Sequence, residues 1–228
     1  MAGVGFTLGS FTAADALTID PTIYDGVSGT TLTAWGSIVI SPNGIADAKT
    51  VNGYTALGVT STDGSDSVAG EIDGNEAITF NFTNGLIVTD FTVAFLFASG
   101  NFGDTVSEIS ITRADESGTP QTNDYLISLQ ALAPDTYFIT GADPGASVSV
   151  ISNPVSTEAG VFTIYNPFGN AKILSMTFYA DDSATSGAAD SDYAIGNINV
   201  VPEPATMLLF GTGLAGLAAI GRRRKTQA

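Results

Sequence analysis

The sequence contains no cysteine and no histidine, and only seven lysines and arginines against 23 aspartates and glutamates. Without thiols, disulfides, zinc fingers and cysteine nucleophiles are excluded, and without imidazole, serine–histidine catalysis and most transition-metal sites lack their usual groups. Stability must therefore come from packing, or from a hard cation held by oxygen atoms. Basic residues are scarcer still in the body of the chain. Arg222, Arg223, Arg224 and Lys225 sit at the end, which leaves Lys49, Arg113 and Lys172 within residues 17–200. Every acid except Asp15 and Glu203 falls in that same stretch, so 21 carboxylates face three cations there. Such a surface repels nucleic acid and anionic lipid, because affinity for phosphate rests on Lys and Arg. A nucleic-acid partner is excluded on this ground. Before the tail, no apolar stripe of helical period runs longer than two turns.

What fills the body instead is alternation. Ile78, Phe80 and Phe82 share one face of a period-2 pattern, with Thr79, Asn81 and Thr83 on the other. An Asn84-Gly85 turn signal follows, then an apolar run over 86–98 that places Phe91, Val93, Phe95 and Phe97 on one side. Further strands are expected at 31–40, 54–60, 106–113, 124–131, 136–140, 147–151, 161–165, 173–180 and 193–200. About 180 residues of short strands without helices imply an all-β domain of two antiparallel sheets packed face to face, over 17–200. A jelly-roll sandwich is the first expectation and an immunoglobulin-like sandwich the second.

The two ends read differently. Residues 1–16 are apolar and small and close on Ala14-Asp15-Ala16, an A-x-A cleavage pattern, so they read as the back half of a signal peptide. The basic n-region is missing, and the other reading of these residues is a first edge strand. At the far end stand Pro202-Glu203-Pro204, an uncharged Gly/Ala/Leu-rich block over 205–221, and Arg222-Arg223-Arg224. As a helix the block would be roughly 25 Å long, near the lower limit for spanning a bilayer. Basic flanks of this kind stay in the cytoplasm, which places the body of the chain across the membrane.

These three parts, in this order, resemble the PEP-CTERM sorting signal of Gram-negative bacteria. The resemblance covers about residues 201–225 of a C-terminal segment placed at 201–228, and implies recognition by a membrane-embedded transpeptidase-like protease, the exosortase, which cuts near the triplet. It makes Pro202, Glu203 and Pro204 the recognition residues. The apolar block becomes a transient membrane anchor, and Arg222, Arg223 and Arg224 the stop. Delivery to the envelope or the outside follows, often alongside secreted polysaccharide.

Chemistry-bearing residues are sparse. The most acidic stretch, residues 63–76, holds Asp63, Asp66, Glu71, Asp73 and Glu76. Hard oxygen ligands favour calcium, although the spacing is not that of an EF-hand. The acidic residues 181–192, just before the last strand, are the natural partner. Glu71-Ile72-Asp73 ahead of one strand and Asp192-Tyr193 opening the last resemble calcium-stabilised jelly-roll domains of carbohydrate-binding type. That resemblance implies Glu71, Asp73 and Asp192 as shared ligands; the alternative is simply solvated acidic loops. No motif sets two carboxylates as a glycosidase pair. Aromatics such as Trp35 serve either as core or as a sugar-stacking platform. Asn81-Phe82-Thr83, a formal glycosylation sequon, lies inside an expected strand. The reading is an exported structural or adhesive surface protein that is not an enzyme, with exopolysaccharide binding as the alternative.

Overall fold

A computed structural model describes residues 16–63, 68–102, 106–116, 125–180 and 192–201. The expected leader, the apolar block at 205–221 and the sorting residues lie outside them. Among the described residues, no helix is long and apolar enough to cross a membrane.

Regular structure in these residues is strand, apart from one short 3-10 turn at Pro21–Tyr24 that Asp20 caps by accepting the Thr22 N–H. The first five strands are β1 (Leu17–Ile19), β2 (Thr30–Leu32), β3 (Gly36–Ile40), β4 (Gly44–Val51) and β5 (Tyr54–Ser61). Next come β6 (Ala77–Ala94), β7 (Ile109–Asp115), β8 (Tyr125–Ala133) and β9 (Thr136–Thr140). The chain continues with β10 (Ser147–Ser152), β11 (Val161–Tyr165), β12 (Ile173–Tyr179) and β13 (Ala194–Val201). Every pairing among them is antiparallel.

The organising strand is β6, which belongs to both layers. Its first half pairs with β3 and β12, and the layer extends through β7 and β8 to β9. Its second half pairs with β11 and β13, and that layer extends through β5 to β4. The alternation read from the sequence is what the strand uses: Ile78, Phe80 and Phe82 are buried and Thr79, Asn81 and Thr83 are not. Phe91 of one layer meets Phe178 of the other edge-on at 5.5 Å, and Phe162 meets Tyr137 at 6.4 Å. The fully buried Phe91, Phe162 and Phe178 each contribute roughly 1.5–3 kcal/mol of apolar transfer, and Tyr137, partly buried, packs against them.

Three expectations need correcting. Asn84-Gly85 is not a hairpin turn: β6 runs straight through it. Gly85, at φ +68°, sits in a bulge where Leu86 pairs with Ile173 and Asn81 with Ser175, so four residues of β6 oppose one of β12. This bulge is how the strand crosses from one layer to the other, a known use of such irregularities. Residues 31–40 are not one strand but the hairpin of β2 and β3. Trp35, at its tip, is half-buried with its ring 5.6 Å from Phe82 and 5.9 Å from Phe80. Finally, Phe95 and Phe97 do not continue the face of Phe91 and Val93. Phe95 turns the chain at φ +66°, and both rings join a separate small cluster with Ala56, Ala94, Ala159, Val161 and Ala194.

Candidate functional site

Gly58, in the middle of β5, has no side chain, and the segment at residues 68–73 crosses the sheet over it. A Cβ there would lie 2.2 Å from the Gly70 carbonyl oxygen. Three backbone bonds hold the crossing: Gly70 N–H to the Val59 carbonyl (2.9 Å), Val59 N–H to the Glu71 carbonyl (3.2 Å) and Ile72 N–H to the Tyr193 carbonyl (2.6 Å). The last of these places Asp192 beside Glu71 and Asp73. Tyr193 is itself anchored, fully buried, with its hydroxyl 2.8 Å from the Ile111 carbonyl and 3.1 Å from that of Tyr179.

The three acids singled out in the sequence therefore come together, and two residues that were not singled out join them. Lys49 on β4 forms an ion pair with Glu71. Glu108, ahead of β7, is only 2 % exposed, accepts the Phe97 N–H and hydrogen-bonds Asp192. Burial, and next the Asp192 carboxylate, push Glu71 from its ordinary 4.5 up to about 7, against the opposing pull of Lys49. Asp192 is raised too, chiefly by burial and further by Asp73, while the Glu108 hydrogen bond and Lys49 work the other way. Lys49 could have been noticed as one of three cations in the body of the chain. Glu108 carried no local signal, because it reaches the cluster only through the fold.

Lys49, Glu71, Glu108 and Asp192 line a cavity of about 290 Å³ together with Phe97 and Phe102, whose ring centroids are 4.5 Å apart. Phe102 leaves 59 % of its surface to solvent. The donor set does not preassemble a calcium cage. Glu71 is engaged by Lys49, one Asp73 oxygen accepts the Val68 N–H at 2.9 Å, and one Glu108 oxygen accepts the Phe97 N–H. Among the described residues, no group of three or more acidic side chains is arranged to hold a metal. The remaining expected partners, residues 181–191 and Asp66, lie outside the described residues. Aromatic stacking finds little else to work with: Trp35 serves the core, and Phe138 and Tyr165 are scattered exposed rings.

β13 begins directly after Tyr193 and ends at Val201, and the next residues are Pro202-Glu203-Pro204. Residues 200–225 match the family model of the PEP-CTERM protein-sorting motif. The chain carries a PEP-CTERM protein-sorting motif. Its motif marks it for processing by exosortase and for export to the cell envelope or beyond. Pro202, Glu203, Pro204, Arg222, Arg223 and Arg224 all fall within the matched span, and Val200 and Val201 belong to both motif and sheet. No curated protein and no solved structure matches the chain.

Proposed function

We propose that this protein is a structural or adhesive component of the cell surface or extracellular matrix, and not an enzyme. In this reading residues 205–221 anchor it transiently in the inner membrane. Arg222, Arg223 and Arg224 stop transfer, and exosortase then releases the β domain. The observation that carries it is a sorting motif joined directly to a rigid layered domain whose large aromatics are mostly committed to the core. The cavity lined by Glu71, Glu108 and Asp192 also argues against a glycosidase. Glu108 and Asp192 are in hydrogen-bond contact, whereas acid pairs that cleave sugars stand about 5 Å or more apart to admit the substrate.

The test is the intact mass of the protein from its host's envelope and medium. A chain beginning near Leu17 and ending near Pro202 is expected. A full-length chain in the inner membrane, still carrying Arg222, Arg223 and Arg224, would sink the proposal. Replacing Glu203 by Ala should produce that full-length form.

A second reading, exopolysaccharide binding, is favoured by one feature. Phe97 and Phe102 offer an apolar wall beside Glu71, Asp192 and Lys49, the combination that grips a sugar's apolar face and its hydroxyls. Phe102→Ala should then abolish retention on the host's own polysaccharide. Unchanged retention would remove this site from consideration.

A further inference from the structure

We propose that the end of β13 gates exosortase processing, so that cutting requires β13 to detach from its neighbours; this rests on the sorting reading above. The motif begins at residue 200, yet Val200 is fully buried and Val201 is still in the sheet. Both flanks of the strand are occupied there. On one side Val200 pairs with Val88 and Val201 with Ile87, both on β6. On the other, β1 covers it in the register Leu17 to Val200, Thr18 to Asn199 and Ile19 to Ile198. Side chains tighten the same place: Thr18 Oγ1 donates to Asn199 Oδ1 at 2.6 Å, and Asn199 Nδ2 donates to Asp90 Oδ1 at 2.7 Å.

Enzymes that bind peptides in extended form take hold of a free strand edge on either side of the bond they act on. Glu203 is two residues beyond Val201, about 7 Å of fully extended chain, so no spacer separates the triplet from the sheet. An enzyme acting near the triplet therefore meets residues whose backbone edges are already hydrogen-bonded. For those edges to become available, Val200 must leave the core and the β1 flank must open. At three residues, with Leu17 42 % exposed, β1 is the weaker flank and serves as the latch. Cutting is fast on a chain whose latch is open and slow once it has closed.

The absence of native cysteine allows a clean test. Thr18 and Asn199 are direct cross-strand partners with touching side chains, a separation compatible with a disulfide. The full chain carrying Thr18→Cys and Asn199→Cys is expressed in the host, and the conversion of precursor to mature mass is followed with and without reductant. The oxidised double variant should be processed about ten-fold more slowly, as expected when a local opening is prevented. Reduction, or either single substitution, should bring processing back to the wild-type rate or above it, since each substitution also removes a hydrogen bond of the latch. Independently, a Gly-Ser-Gly-Ser insertion between Val201 and Pro202 should speed processing and make it insensitive to the disulfide. Wild-type kinetics in the locked chain, or no gain from the spacer, would overturn the gate. If the wild-type chain is never processed, or Glu203→Ala is processed normally, the sorting reading itself fails and takes the gate with it.

Discussion

Glu71→Gln should make the protein more stable at about pH 8 and leave it unchanged near pH 4.5. In the folded chain this carboxyl titrates at about 7, against an ordinary 4.5, because it is 4 % exposed, faces Asp192 and has only Lys49 to compensate. Below 4.5 it is protonated whether the chain is folded or not. Between 4.5 and 7 only the folded form keeps the proton, so stability falls as pH rises through that window; above 7 the loss is complete. At 1.36 kcal/mol per pH unit, a gap of roughly 2.5 units corresponds to about 3 kcal/mol. For a domain of this size that is roughly 6–12 °C in Tm. The assay is urea denaturation of wild type and variant in parallel from about pH 4.5 to 8.5, in one buffer series at fixed ionic strength. Subtracting the two curves removes the general self-repulsion of an acidic protein and leaves the contribution of one side chain. Parallel curves, with no divergence between 4.5 and 7, would refute the reasoning. Lys49→Met should have the opposite sign, with a loss confined to pH above about 6.

Tyr193→Phe removes a buried hydroxyl from the Ile111 and Tyr179 carbonyls and should cost about 1–3 kcal/mol; a loss under about 0.5 in denaturant titration would mean that water replaces it. Gly58→Ala puts a methyl group into the Gly70 carbonyl, and the crossing segment must move. A loss of at least about 2 kcal/mol, with faster amide exchange at residues 70–72, is expected, and unaltered exchange would count against the crossing. Chelation with EDTA should leave Tm where it is, since Lys49 already neutralises Glu71. A fall of several degrees would instead restore calcium to the cluster.

Much of the fold was legible because strand patterning is local. Alternation over residues 78–82 announced which side of β6 is buried, and turn residues marked most breaks. The misreadings have one cause. Asn84-Gly85 supplies the positive φ that a hairpin needs, but a bulge needs it as well, and only the partner strand β12 decides between them. The same holds for Phe95: continuing the alternation assumes that the strand continues, whereas a change of backbone direction at that residue sends two rings into another cluster.

The functional residues divide in the same way. The sorting motif is a linear signal: a triplet, an apolar block and a basic end are read by contiguous contacts, so the sequence alone sufficed to locate it and with it the destination of the protein. The carboxylate cluster is not linear. Lys49, Glu71, Glu108 and Asp192 are spread over more than half the domain and meet because Ile72 bonds to Tyr193 across the sheet. Charge counting could say that 21 acids crowd a domain with three cations. Which acids lose their water, and which one gains the lysine, depends on burial and distance, and these exist only once the chain has folded.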